Sequence, residues 1–480
     1  MATDEKGSGF VGDLSPGQEA KLQQLWTIIL NTGDSQESPV ISSINVVNSQ
    51  NPAQDQHRRL SSLSRVKTSA SADTKIPSAP TNCPALTEAL QITGASATDI
   101  KSAQEIFSRM PSGELLKGFL KTIQHEHPDA LMLRFLRARR WDVIKAFIMM
   151  AGVIEWRMKE IDVDQLMAEG ELQALKQSQN TSNATDKKKG DDFLAQVRMG
   201  KVFVHSVDND GRPICVVRVR LHRPGEQSEE TLERYIVHFI ESVRLMLVPP
   251  AETAAVVFDL TGFSLSNMEY PPVKFIIKCF EANYPESLGV LLIHKAPWVF
   301  SGIWRLIKGW LDPAIASKIY FTNNATDLEK FIPRDNIFRD LGGDYDWTYE
   351  YVEPNLDEND VMKDTATRDA LLTERQGLND DLLLATSTWI AVTTAKDEEK
   401  ITACKDQRAA IANRLRSNYW QLDPYLRART FMDRTGELKP PNCHPSEESL
   451  PKIGGSETEE TAKMVKVEHI ETIATHAIQS

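Results

Sequence analysis

The residues between 300 and 318, FSGIWRLIKGWLDPAIASK, are the part of this 480-residue chain best suited to surface chemistry. On a helix they set Phe300, Ile303, Trp304, Ile307 and Leu311 along one face, with Arg305 and Lys308 elsewhere and Trp310 at the margin. Asp312-Pro313 stops that helix. Tryptophan and basic residues on an amphipathic helix suit a membrane–water interface, and the same stripe also suits packing on a core. Groups for covalent or metal chemistry are scarce. His205, His238 and His294 fall inside apolar runs and read as core or pocket-wall histidines. Asp208 and Asp210, in DNDG, lack the remaining ligands and closing glutamate of a calcium loop and read as a turn. The chain has no GxxxxGKS/T, no GxGxxG after a strand, no GxSxG elbow and no HExxH or Cys/His cluster. An enzyme would have no mechanism here, and neither metal nor cofactor is expected.

The elements that must position these residues follow from pattern and punctuation. Residues 1–30 hold an N-terminal amphipathic helix, capped by Ser15 with Pro16 at its first position and Glu19 in its first turn. Its apolar face is Leu22, Leu25, Trp26, Ile29 and Leu30, for docking on the body or touching a membrane or partner. Residues 31–95, rich in Ser, Asn and Gln, read as a disordered linker. Within it, Arg58 and Arg59 precede Ser61, Ser62 and Ser64, a spacing that a basic-directed kinase could use or that merely solvates the linker. Residues 96–175 form a helical subdomain, with Pro128 and Asp142 each opening a helix. A polar, charged stretch at 176–192 reads as a loop.

From 193 to 350 strands alternate with helices. Two β-rich runs flank DNDG, with Gly211 supplying the positive φ of a hairpin turn. Then come a helix at 231–247, a strand at 254–262, a helix at 269–284, a strand at 289–297, the helix at 300–311 and a strand at 318–322. Such alternation implies crossovers and a mainly parallel sheet, whose ligands sit beyond the strand carboxyl ends. Residues 351–435 form a helical C-terminal extension and 436–480 a flexible tail.

Composition narrows the function. The net charge of −12 argues against nucleic acid. The five cysteines are scattered and odd in number, which fits a reducing compartment. The N-terminus lacks the apolar core of a signal peptide, and no stretch is long and apolar enough to span a bilayer. The apolar 254–322 unit, lacking a catalytic group, suits a ligand pocket. A two-chain lipid exposes roughly thirty methylenes, which cost on the order of 25 kcal/mol to hydrate. A protein that moves such a lipid needs an enclosed apolar space and a lid able to touch the bilayer, and the helix at 300–311 is the candidate lid.

LRFLRARRWD (133–142), DGRP (210–213), VFDLTGFSLSNM (257–268), YPESLG (284–289), HKAPWVFSGIWRLIKGWLDP (294–313) and ASKIYF (316–321) occur in one order and spacing. In these the chain resembles the CRAL-TRIO lipid-binding family, most of all its fungal phosphatidylinositol transfer branch, over residues 110–350. The resemblance implies a CRAL-TRIO α/β fold: a helical N-terminal subdomain, then a mainly parallel sheet lined by helices, with a gating helix over an apolar pocket. It also implies headgroup contacts from Arg139, Arg140, Glu286 and Lys318. A phosphodiester pairs with arginine bidentately, and a carboxylate accepts bonds from inositol hydroxyls. Where the family holds a choline headgroup with hydroxyls, this chain has Ala254, Val256 and Cys215 in the pocket wall.

Three expectations follow. The chain binds one lipid and exchanges phosphatidylinositol, together with a more apolar second ligand such as a sterol or squalene, while phosphatidylcholine binds poorly. Alternatively it is a lipid-sensing scaffold that presents phosphatidylinositol to a lipid kinase. It works as a cytoplasmic monomer that visits endoplasmic reticulum, Golgi/endosome or lipid-droplet membranes peripherally.

Overall fold

The computed structural model describes residues 8–33, 95–110 and 113–440. The linker serines, Cys83, Cys443 and the tail beyond 440 lie outside the described residues.

Helix α1 (Pro16–Leu30) begins as its sequence dictates. The Ser15 side chain accepts from the Gln18 amide and Gln18 returns a bond to Ser15, a reciprocal cap. Its apolar face is buried, with Trp26 and Leu25 wholly inside. They pack among α2 (Ala97–Arg109), α3 (Glu114–Thr122), α4 (Pro128–Ala138) and α5 (Val143–Glu155). The face that could have met a membrane is spent on this core.

Helix α6 (Val163–Ser178) leads to a correction. The loop expected at 176–192 is largely helix: α7 runs Ala184–Arg198. Asn183 caps it by accepting from the Thr185 and Asp186 amides. Lys187–Asp191 and Lys188–Asp192 pair at 2.7 and 2.9 Å along its outer side. Its charges are thus i,i+4 pairs that support a helix, while Phe193, Leu194 and Val197 face inward.

The sheet has the order β1-β2-β3-β4-β5. Its strands are β1 (Val202–Val207), β2 (Pro213–Arg218), β3 (Ala254–Asp259), β4 (Leu288–His294) and β5 (Ile319–Thr322). The first pair is an antiparallel hairpin and every later pairing is parallel. Gly211 takes φ +77° at the hairpin turn. Asp208 accepts there from the Asp210 and Arg212 amides, so it shapes the turn. Helices α8 (Glu229–Arg244), α9 (Tyr270–Lys278) and α10 (Phe300–Lys308) connect the parallel strands.

Side chains alternate across the sheet, and its two faces differ. Phe203, Ile214, Val216, Val257 and Leu292 point to a packed layer closed by Phe338 and Tyr349. Cys215, Ala254, Val256, Leu291 and Ile293 point to the other face, where the candidate site lies.

Beyond the sheet, α11 (Thr365–Ala395) and α12 (Glu398–Leu426) form a long hairpin, followed by α13 (Phe431–Thr435). Leu382, Trp389 and Leu415 enter the same core as Trp26. Arg408 of α12 forks onto Asp129 of α4 at 2.6 and 2.8 Å, and Trp26 donates to the same carboxylate at 2.7 Å. Helices α1, α4 and α12 therefore share one buried polar knot.

Candidate functional site

A hollow of about 130 Å³ lies against the second sheet face. Cys215 and Val217 of β2 and Ala254, Val256 and Phe258 of β3 make its floor. Cys215 pairs in register with Val256 and Val217 with Phe258, which brings these alternate residues onto one surface. Phe239 and Val243 of α8, Ile276 of α9 and Phe135 of α4 close it. Ala254, Val256 and Cys215 thus line the hollow with no hydroxyl among them. Burial pushes the Cys215 thiol up to about 12, so it stays neutral.

The hollow does not lie beyond the strand carboxyl ends, where a ligand was expected. Those ends are closed by ion pairs, Arg220–Asp259 at 2.5 Å and Arg218–Asp340 at 3.0 Å. The hollow lies on the sheet face, and Glu286 and Lys318 stand just before β4 and β5, at their amino ends.

Lys318 and Glu286 come together at the rim, 3.5 Å apart. The turn Tyr284–Ser287 carries Glu286 in left-handed backbone, φ +55°, and the Ser287 hydroxyl ties it by donating to the Tyr284 carbonyl at 2.6 Å. Tyr284, Pro285 and Ser287 border the hollow. Arg139 and Arg140 are not joined to this pair. They end α4, where the Trp141 amide bonds the Leu136 carbonyl and the Arg140 amide the Arg137 carbonyl. This is a Schellman cap in which glycine usually takes the left-handed place. Here Arg140 takes it, at φ +51°. Arg139 is half-buried, Arg140 is exposed, and neither pairs with a carboxylate among the described residues. Left-handed non-glycine residues are strained and cluster at working sites, and Arg140 and Glu286 are both of that kind.

The sequence reading missed the arginines that do reach this rim. Arg134 donates to the Glu286 carbonyl at 3.1 Å. Arg137 sits over the Phe10 ring at 4.1 Å and donates to the Gly9 carbonyl at 2.8 Å. Burial, then Arg134, lower Arg137 to about 10 against the pull of Glu252 and Glu286. The i,i+3 spacing of Arg134 and Arg137 in LRFLRA was the available signal.

Helix α10 is shorter than the expected 300–311. Phe300, Ile303 and Ile307 are buried on the same sheet face, with Trp304 and Leu311 partly buried beside them. None of the five lines the hollow; they cover the face next to it. Trp304 meets Phe321 of β5 edge-on at 5.2 Å. Trp298, just ahead of the helix, is 88% exposed, and Leu306 and Phe321 are also exposed.

The histidines hold structural bonds. His294 is buried between the Thr322 hydroxyl and the Leu341 carbonyl. His205 stacks on Trp347 and bonds Tyr345 and Glu437. His238 lies 3.5 Å from Glu171. Among the described residues no cluster could hold a metal, and no helix is long and apolar enough to cross a membrane.

The CRAL/TRIO domain model matches residues 197–343, and the CRAL/TRIO N-terminal domain model matches 98–152. A CRAL-TRIO domain-containing protein of Schizosaccharomyces pombe is 40% identical over 345 residues, 72% of this chain and 73% of that one. The phosphatidylinositol transfer protein CSR1 of Eremothecium gossypii is 40% identical over 341 residues, 71% of this chain and 75% of its own. The Sec14 cytosolic factor of S. pombe is 28% identical over 233 residues, 45% of this chain and 74% of its own.

Proposed function

This chain belongs to the CRAL-TRIO family, and from that membership we propose that it is a lipid carrier that exchanges phosphatidylinositol between membranes. The observation that carries this reading is the apolar hollow, roofed by helices, whose rim holds the Glu286–Lys318 pair. Acyl chains fill the space over Val256 and Phe258, and the inositol ring meets Glu286 and Lys318 at the rim. Arg139 and Arg140, at the end of α4, supply cations for the headgroup. Helix α10 is the gate, and its neighbour Trp298 meets the bilayer. The reading is of a carrier and not of an enzyme, in keeping with relatives named for transfer.

A more apolar second ligand, a sterol or squalene, fits a floor without hydroxyls at Ala254, Val256 and Cys215. Phosphatidylcholine does not. Its buried phosphate would face Ala254, Val256 and the neutral Cys215 thiol, and a buried unpaired polar group is costly.

Extraction and mass spectrometry of lipids that copurify with the protein, before and after incubation with mixed liposomes, tests this. Stoichiometric phosphatidylinositol with little phosphatidylcholine supports it. An empty hollow after incubation would return Glu286 and Lys318 to the status of a structural ion pair.

A further inference from the structure

Lys201, His222 and Glu269 stand in line beside the carboxyl end of β2, and none of the three lines the hollow. Lys201 directly precedes β1, where its carbonyl accepts from the Arg218 amide, and it is 5% exposed. Its Nζ lies 3.2 Å from Nδ1 of His222, and Nε2 of His222 lies 2.9 Å from the Glu269 carboxylate. A carboxylate only accepts, so the imidazole proton is on Nε2 and the Nδ1 lone pair faces the lysine. Asn267 fixes the turn by donating to the Arg220 and His222 carbonyls at 3.2 and 3.0 Å. An amine, a base and a carboxylate that orients the base form the arrangement of an activated nucleophile.

The surroundings favour the neutral amine. Burial lowers the Lys201 ammonium to about 8, Arg223 acts the same way, and Glu226 and Glu269 oppose both. About a fifth of it is neutral near pH 7.4, against about one part in a thousand for an ordinary lysine. Burial, then Lys201, lower His222 against the pull of Glu269 and Glu226, so the imidazole is neutral and able to take a proton. Access decides which electrophile can arrive. An amine on a side chain this buried is closed to coenzyme-sized acyl donors and open to a small uncharged molecule.

We propose that Lys201 is a modification site at which dissolved carbon dioxide adds reversibly to the amine, with His222 as the base. The Nζ lone pair attacks the carbon, one C=O electron pair moves onto oxygen, and the Nζ proton passes to Nδ1 of His222. Neutral amine, imidazole and gas become a carbamate anion beside an imidazolium, so atoms and charge balance with no further reactant. Glu226 and Glu269 oppose the new anion. The imidazolium formed in the same step and the nearby Arg223 offset them, and Glu269 in turn pairs with the imidazolium. The direction of the bond reverses: Lys201 donates to His222 in the free chain, and His222 donates to the carbamate after reaction. Glu269 directly precedes α9, whose Ile276 closes the hollow, so the reaction tightens the tie between β1 and that wall. The proposal does not depend on which lipid the hollow takes.

The test equilibrates the full chain with carbon-13-labelled bicarbonate and its dissolved carbon dioxide near neutral pH. Any carbamate is fixed as its ethyl ester with triethyloxonium, and peptide mass spectrometry reads each lysine. Lys101 of α2, with a side chain 78% exposed, serves as the internal reference. Lys201 is expected to carry at least tenfold more label than Lys101, rising to saturation with carbon dioxide. H222Q, which keeps a polar side chain and removes the base, is expected to cut the Lys201 label at least fivefold and to leave Lys101 unchanged. Should H222Q not fold, E269Q, at the partly exposed end of the line, is read in its place with an expected loss of at least threefold. Label at Lys201 no greater than at Lys101 overturns the proposal. So does a folded variant that labels Lys201 as fully as the unaltered chain, since the amine would then react without the base. Either result leaves the carrier reading untouched.

Discussion

Lys318 reaches both the Glu286 carboxylate, at 3.5 Å, and the Leu288 carbonyl, to which it donates at 2.9 Å, so one ammonium ties the amino ends of β4 and β5. A headgroup that binds there shares a lysine already positioned by the fold.

Lys318→Ala should therefore cut phosphatidylinositol exchange at least tenfold. Folding should change by no more than about 1 kcal/mol, because partly exposed ion pairs contribute little. Exchange between labelled donor and unlabelled acceptor vesicles, with urea unfolding alongside, reads both. Normal exchange by a Lys318→Ala, Arg139→Ala double variant would remove the headgroup assignment.

Phosphatidylcholine exchange should run at least tenfold slower than phosphatidylinositol exchange under the same conditions. Restoring hydroxyls to the floor with Ala254→Ser and Val256→Thr should raise it. Comparable rates for the two lipids in the unaltered chain would contradict the account of Cys215, Ala254 and Val256.

Arg408→Ala should destabilise the protein by about 3–5 kcal/mol, the usual cost of leaving a buried partner charge uncompensated. The partner is Asp129, inside the core with Trp26. For the same reason, removing residues 365–435 should expose Trp26 and Leu25 and give an aggregating chain, so the scaffold reading needs point variants on the outer side of the hairpin. Urea unfolding followed by tryptophan fluorescence measures the first effect.

Stability should fall between pH 7 and pH 5. His125 has a folded-state value near 4, depressed mainly by burial from an ordinary 6.5. A depressed histidine contributes fully above 6.5 and loses its contribution as pH drops toward 4. The loss by pH 5 is roughly 2 kcal/mol. Glu126 and Glu241, also depressed, add a second loss below about pH 4.5. Denaturation midpoints at several pH values would show the first fall, and His125→Phe should flatten it.

Trp298→Ala should leave stability within about 0.5 kcal/mol, as for an exposed site. It should weaken binding to anionic vesicles roughly tenfold, as expected if the ring is buried in the interface. Vesicle sedimentation compares the two proteins, and equal binding would place the membrane contact elsewhere.

Local signals were legible. Ser15-Pro16 marks the start of α1, DNDG marks the hairpin, and the apolar run at 254–259 marks a strand buried on both faces. Ala254, Val256 and Cys215 line the hollow because the period of a strand is fixed. What pairing over distance decides was not legible. Arg157 meets Glu241 across 84 residues and Arg244 meets Glu126 across 118, and no spacing announces either. Residues 184–192 looked like a loop because their charges were read as solvation, when Lys187 and Lys188 have partners one turn along. The place of the hollow was not legible either: it lies on a face of the sheet, while Arg220–Asp259 occupies the carboxyl end of β3.

The knot of Trp26, Asp129 and Arg408 also sets a clock. Lys405 of α12 pairs with Glu19 of α1 across 386 residues. At roughly 5–20 residues per second, a ribosome needs about 20–80 s to make the chain between them. Through that interval the apolar face of α1 has only part of its covering. The nascent chain is then a natural client for a holding chaperone, and its folding can finish only after α12 has been made. Ribosome-bound chains stopped before residue 400 should bind such a chaperone, and chains carried past 430 should release it.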